Sequence, residues 1–438
     1  MKVAIVGGGL MGVTLAYHLA RAGHSINVYE RSPNIGGLAT YLDYHGVRVD
    51  RFYHTILSSD MTMQTLIRET GVEDRLRFTE TKQGFYDSGN LYPFNTPKDF
   101  MMFPPLNLFQ RFRLALQVIF AQFERDAAKM DTIPVEQWLS RVSGRGVVEK
   151  VWRPLLRAKF DAEAVDVPAT YIWSRLRRMM STRQGVTSKE MMCYLIGGYF
   201  TLIEALAKHC ADMGVTLSTS TPVEQVNMEN GRAVGVRVGG EDVAADIVIA
   251  TVPSPYIAEL IPGGPQDYRA LLAKQQYLGV MCPLMILNKP LTPYYVLNIT
   301  DPRIPFTAVV ETTNLIAPEH VGGNHLIYLP KYLSPNSEIA TWSDERVRDE
   351  WMRYFKQMFP DFDESSVVEF LVQRARYVEP LRPMGTTNEI PQIQSPIPGL
   401  FVANTVMLYP DLSNGEAVTS LAKRVITAVL GQGGTSAS

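Results

Sequence analysis

The stretch Lys2–Glu30, KVAIVGGGLMGVTLAYHLARAGHSINVYE, constrains the fold more than any other part of the chain. Val3–Val6 is a short apolar run rich in β-branched residues, the pattern of a parallel strand buried on both faces. Gly7, Gly9 and Gly12 follow in G-x-G-x-x-G spacing. Leu15, Ala16, Leu19 and Ala20 then share one helical face. Gly23 ends that helix, Ile26–Tyr29 is a second strand, and Glu30 closes the unit. In such a unit Gly7 makes the tight turn, Gly9 lets a pyrophosphate approach the backbone, and Gly12 lets helix and strand pack closely. The helix start, at Leu10 and Met11, offers free N–H groups and partial positive charge to the anion. The Glu30 carboxylate can accept from ribose hydroxyls and would repel a 2′-phosphate, which favours an FAD- or NAD-type dinucleotide over NADP. The glycine spacing alone is a weak signal, but the strand before it, the helix after it and the acid supply the confirming context.

With 438 residues the chain is long enough for two or three domain-sized units. Its 42 basic and 44 acidic side chains leave a net charge of −2, which argues against a nucleic-acid partner. Cys193, Cys210 and Cys282 form no C-x-x-C pair or zinc spacing, so neither a disulfide framework nor a metal site is expected, and a reducing cytoplasm fits. The N-terminus runs straight into the first strand, so no cleavable signal is expected. No apolar run reaches the roughly eighteen residues of a membrane span. The small, polar tail 431–438 should fray.

Beyond Glu30 and Arg31 the chain reads Gly36-Gly37-Leu38-Ala39, where paired glycines permit a second close backbone approach. Tyr44–Tyr53 alternates as a strand leading into Tyr53-His54-Thr55. Helical patterns cover 107–128, 134–143, 147–160 and 169–180. The unusually apolar stretch Phe103–Phe120 predicts a core helix that also walls a substrate pocket; a peripheral membrane patch is the sharper reading, disfavoured because no Lys/Arg cluster accompanies it. Arg153, Arg157 and Lys159 read as solvated helix charges, as do Arg175, Arg177 and Arg178. Short strands return at 280–287, 294–299, 306–311 and 325–329, followed by an amphipathic helix over 343–359 and a strand over 367–378.

The motif E-R-x-x-x-x-G-G from Glu30 to Gly37, followed by a strand ending in D-x-x-x-H at Asp50–His54, resembles the large FAD-dependent superfamily of flavin amine oxidases, protoporphyrinogen oxidases and phytoene desaturases. UDP-galactopyranose mutase is a more distant member. Two later stretches carry the same resemblance: 197–253, with its Thr221-Pro222-Val223 turn, and Pro398–Thr405 followed by Ser413–Val418. The resemblance implies an α/β fold, a doubly wound FAD-binding Rossmann-like domain interrupted by an α+β substrate domain. It divides the chain into an FAD-binding part (1–90, 195–265 and 370–430) and a substrate-binding part (91–194 and 266–369). It implies non-covalent FAD, with the Val223 backbone at the adenine. Asn404, Thr405, Glu416, Ala417 and Val418 would lie along the ribityl and isoalloxazine end. Many relatives have Gly-Asp where this chain has Asn404-Thr405, so an uncharged acceptor replaces a carboxylate.

No second G-x-G-x-x-G follows a strand, so a separate NAD(P) domain is not expected, and reoxidation would fall to oxygen, a quinone or another acceptor. His54 is the candidate for a catalytic side chain near the ring, its residue type being suited to proton transfer near pH 7. Three function classes fit: an FAD oxidase, dehydrogenase or desaturase acting on a small organic molecule; a flavin-dependent sugar-nucleotide mutase; and a non-enzymatic carrier on the same fold. The first is preferred.

Overall fold

The computed structural model describes residues 1–160, 167–181 and 191–432. The predicted first unit forms as expected. Strand Lys2–Val6 pairs in parallel with Ser25–Tyr29 on one side and Ile247–Ala250 on the other. Thr216–Ser218 and Leu400–Val402 complete a five-stranded parallel sheet, in the order 216–218, 25–29, 2–6, 247–250, 400–402. The sheet centre is almost wholly aliphatic: Ile5, Val248, Ile249, Leu400 and Val402 have no measurable exposure. Helix Leu10–Arg21 packs against Phe200–Asp212 and Gly415–Gln432. The crossover from Thr216–Ser218 to Ile247–Ala250 is an antiparallel meander, Val223–Glu229, Arg232–Val238 and Glu241–Ala244, in place of a helix.

A second, eight-stranded mixed sheet is built round the long strand Tyr277–Leu287, all of whose residues are buried. Strand Val367–Pro380 pairs along its whole length. The hairpin Gln83–Asp87/Asn90–Pro93 joins the same sheet through Val296–Ile299, so the first cofactor segment gives way to the large sheet before residue 90. Helix Asp344–Met358, capped by Ser343, buries Val347, Trp351 and Phe355 against it.

Three expectations change. The strand read over Tyr44–Tyr53 is a hairpin, Tyr41–Tyr44 with Val47–Asp50, because His45 and Gly46 take positive φ and turn the chain. The helix read over 107–128 stops at Phe123, and a separate short helix runs Ala127–Asp131. The apolar stretch is not mainly core. Phe103, Leu106 and Leu114 are buried, but Leu108, Phe109, Phe112, Ile119, Phe120 and Phe123 are between 51% and 74% exposed. The helix turns Leu114, Gln117 and Ala121 inward instead. Among the described residues no helix is long and apolar enough to cross a membrane. Of the frayed tail expected over 431–438, Gly431 and Gln432 belong to the last helix and the rest lies outside the described residues.

Candidate cofactor cradle and active-site cavity

The two glycine-rich turns meet. Gly36 N–H donates to the Gly8 carbonyl at 2.7 Å, and Gly9 and Gly36 form an isolated parallel bridge. Gly7 has φ +106°, and a Cβ there would stand 2.6 Å from Thr251 Oγ1. A Cβ on Gly12 would stand 2.0 Å from the Gly7 carbonyl oxygen, so helix and turn touch directly. Gly9 differs. Its backbone is extended, and a Cβ would find only Gly37 Cα, at 3.9 Å. Nothing in the protein needs glycine at position 9, which leaves the approach of a ligand as its reason. Helix Leu10–Arg21 starts with no side-chain cap and no acid in its first turn, so the N–H groups near Leu10 and Met11 face that space uncapped. The buried Glu30 accepts from Gly8 N–H and Ser32 N–H, both at 2.8 Å, which fixes its carboxylate against the turn. These features fit a dinucleotide.

The other predicted cofactor residues divide. Arg31 is exposed and stacks over Tyr256 at 4.8 Å. Leu38 is half-buried, and Ala39 and Val223 pack into the core of the first sheet. The Asn404 amide is consumed inside the protein: it donates to the Val252 carbonyl and Ser254 Oγ and accepts from Val406 N–H. Thr405 faces a cavity. Glu416 caps another helix, accepting from Thr62 and Met63 N–H at 3.0 and 2.8 Å. Ala417 is buried, its N–H donating to Asn414 Oδ1, and Val418 packs on the core.

The turn bearing His54 reaches the last helix through Tyr199, a residue the sequence reading passed over. The His54 and Tyr199 rings stack at 4.6 Å. Tyr199 O–H donates to the Thr55 carbonyl, its N–H donates to Asp50 Oδ1, and a Cβ on Gly415 would lie 3.0 Å from its hydroxyl. Burial pushes His54 down to about 4 and Asp50 up to about 7. His54 is therefore neutral at pH 7. Its Nδ1 is buried without a protein partner.

A cavity of about 190 Å³ opens between the loop after the last strand and the large sheet, with Phe160, Tyr171, Glu379, Arg382, Thr405 and Tyr409 in its wall. Lys159, read as solvated, is buried behind it. Its ammonium pairs with Glu379 at 3.0 Å and lies over the Tyr332 ring at 3.2 Å. Burial opposes its charge, but Glu379 outweighs that and holds the ammonium above its ordinary range. Arg178, also read as solvated, pairs with the buried Asp60 at 2.9 Å, whereas Arg157, Arg175 and Arg177 are exposed as expected. Arg153 keeps a partly exposed bidentate pair with Glu136.

Comparison with known proteins agrees with this geometry. The family model described as "Flavin containing amine oxidoreductase" matches residues 10–420. A 15-cis-phytoene desaturase of Synechococcus elongatus is 24% identical over 287 residues, which cover 60% of each chain, so this chain spans well under two thirds of that relative. An oxidoreductase from Methanosarcina mazei superposes with a TM-score of 0.76 at 19% identity, over 97% of this chain and 100% of that one. Reduced UDP-galactopyranose mutase superposes at 0.77 with 15% identity, over 98% and 96%. At such identities the structural likeness speaks for the fold alone. Matched along nearly its whole length by that family model, and carrying a cradle that fits FAD, the chain belongs to the flavin-containing amine oxidoreductase family.

Proposed function

We propose that the protein is an FAD-dependent oxidoreductase of the oxidase, dehydrogenase or desaturase type, which removes a hydride from a small organic substrate. The observation that carries this reading is the cavity walled in part by Thr405, Val406 and 409–413, directly after the last strand of the cofactor sheet. Bound FAD supplies a hydride acceptor at N5. The chain's own work is to bind and align. Gly7, Gly9, Gly12 and the helix start near Leu10 and Met11 receive the pyrophosphate, joined by Gly36–Ala39. Glu30 fixes the ribose, with Arg31 beside it, and the Val223 backbone meets the adenine. Asn404 braces the last strand, while Thr405 and the helix start at Glu416, Ala417 and Val418 border the ring. In this reading 1–90, 195–265 and 370–430 serve the cofactor and 91–194 and 266–369 the substrate, with the Gln83–Pro93 hairpin going by its pairing to the latter.

Alignment of a C–H bond by the cavity walls does most of the catalytic work, since the neutral His54 can accept or donate a hydrogen bond but holds no proton to give as an acid. The buried, unpaired cysteines support a reducing compartment, in keeping with a cytoplasmic protein. The mutase reading needs several cations around a diphosphate, and among the described residues the cavity wall offers one arginine, Arg382. The test is anaerobic mixing of the yellow protein with amines, polyenes and sugar nucleotides. Bleaching of the flavin by an amine or polyene supports the reading. Turnover of a sugar nucleotide only after dithionite reduction overturns it.

A further inference from the structure

The cavity wall is somewhat more apolar than polar, its apolar part formed by residues such as Phe160, Val167, Leu381, Val406 and Leu412. Its charged members among the described residues are Glu379, Arg382 and Asp411. Glu379 is neutralised by Lys159 at 3.0 Å, and Asp411 lies exposed on the loop. Arg382 is different. No carboxylate of the described residues lies within ion-pair distance of it. Of the five N–H donors of a guanidinium, one hydrogen bond goes to Gln275 Oε1 at 2.9 Å and one to the Val406 carbonyl. Its Nε–H is buried with no protein acceptor. Gln275 is itself locked, because its amide nitrogen donates to the Leu271 and Glu389 carbonyls, both at 2.9 Å, and so turns its oxygen to the arginine. The result is a rigidly held cation in the cavity wall that has no direct ion pair among the described residues, Asp131 and Glu389 favouring its charge only from beyond ion-pair distance.

We propose that Arg382 anchors the carboxylate of an otherwise apolar organic acid, so that the substrate class is an aliphatic or polyene carboxylate. This rests on the redox reading above and deepens it. A largely buried cation without a direct ion pair is costly, and a carboxylate is the anion a guanidinium matches best. An amine meets like charge. A neutral chain leaves the guanidinium unpaired. The lone arginine also fits one carboxylate better than a diphosphate. Arg382 thereby acts as a specificity-determining residue: it sets which end of the substrate enters and hence which C–H bond comes to rest at the ring.

The test titrates purified holoenzyme with octanoate, octanol and octylamine, one chain length with three head groups. Binding is read by flavin absorbance and, independently, by calorimetry. Octanoate should bind at least about 10-fold more tightly than the other two. Arg382→Gln should weaken octanoate by about 10- to 100-fold and leave octanol unchanged, with Arg382→Lys between. Equal affinity for octanoate and octanol, no binding of any of the three, or undiminished octanoate binding by Arg382→Gln overturns the proposal. Should Arg382→Gln fail to fold, the head-group ranking of the wild type still decides. Calorimetry separates the two readings: a colourless protein that ranks octanoate first loses the redox reading and keeps the anchor, whereas a flavin bleached by substrates that ignores octanoate does the reverse.

Discussion

Lys159 and Glu379, 220 residues apart in the chain, meet 3.0 Å apart behind the cavity with both side chains nearly out of water. Such a pair is worth little against an apolar substitute but leaves a severe deficit when halved. Lys159→Met should therefore destabilise the protein by about 3–5 kcal/mol, because the Glu379 carboxylate stays buried alone. Lys159→Met combined with Glu379→Leu should recover most of that loss. Urea unfolding midpoints of the two variants make the comparison. A double variant as weak as the single one would mean that the pair is not what holds the carboxylate in place.

Two glycines of one motif should fail differently. Gly9→Val meets no protein atom closely and should keep the wild-type fold and melting temperature of the apoprotein while losing FAD. Gly12→Ala drives a methyl into the Gly7 carbonyl and should lose both. Thermal melting with and without added FAD, together with the flavin absorbance retained after gel filtration, tests the distinction.

Asp50 and His54 should pull the pH dependence of stability in opposite directions. Asp50, raised to about 7, keeps a proton that the unfolded chain releases. Its contribution is full below the ordinary carboxylate value and is lost as pH rises through 7. His54, lowered to about 4, refuses a proton that the unfolded chain takes up below about 6.5. Its contribution is present above 6.5 and is lost as pH falls through 4. Between pH 4 and 6.5 each slope is about 1.4 kcal/mol per pH unit, and they nearly cancel. Asp50→Asn should expose a stability that falls on acidification. His54→Phe, which keeps a ring against Tyr199, should expose one that falls as pH rises. Denaturant unfolding at intervals across this range reads both.

Ala417 sits buried in the first turn of the last helix. A carboxylate there opposes the negative charge of a reduced flavin at the helix N-terminus. Ala417→Asp should weaken FAD by about 10-fold and slow flavin reduction, while Ala417→Ser stays close to wild type. Equal reduction rates and equal FAD affinity across the three proteins would remove this helix from the ring's neighbourhood.

What could be read from sequence follows the range of the forces involved. Gly7, Gly9, Gly12 and Glu30 were legible because the whole unit is local, with strand, turn, helix and acid lying within one stretch of chain. The meeting of Gly36 with Gly8 was not legible, since nothing in a Gly-Gly pair says what it touches. Lys159 was misread because a helix lysine looks the same whether it faces water or a glutamate on a distant strand. The 108–123 helix was misread for a related reason. Its sequence has an apolar stripe at Phe109, Phe112, Phe120 and Phe123 and a narrower one at Leu114, Gln117 and Ala121, and periodicity does not say which of two stripes meets the core. The hairpin at His45–Gly46 carried a local signal, the glycine, which the alternation of Val47 and Val49 outweighed.

Tyr199 ties together three segments: its ring and hydroxyl meet the turn at His54–Thr55 and the start of the last helix at Gly415, and its backbone N–H holds the half-buried Asp50. The 50–55 stretch and Gly415 lie far apart in sequence and share one neighbour. Substitutions in any of them will therefore show epistasis rather than independent effects. A mutational scan would record Tyr199, Asp50, Thr55 and Gly415 as separate sensitive positions scattered along the gene. In energetic terms they are a single degree of freedom: once one of them is lost, losing the next should matter much less.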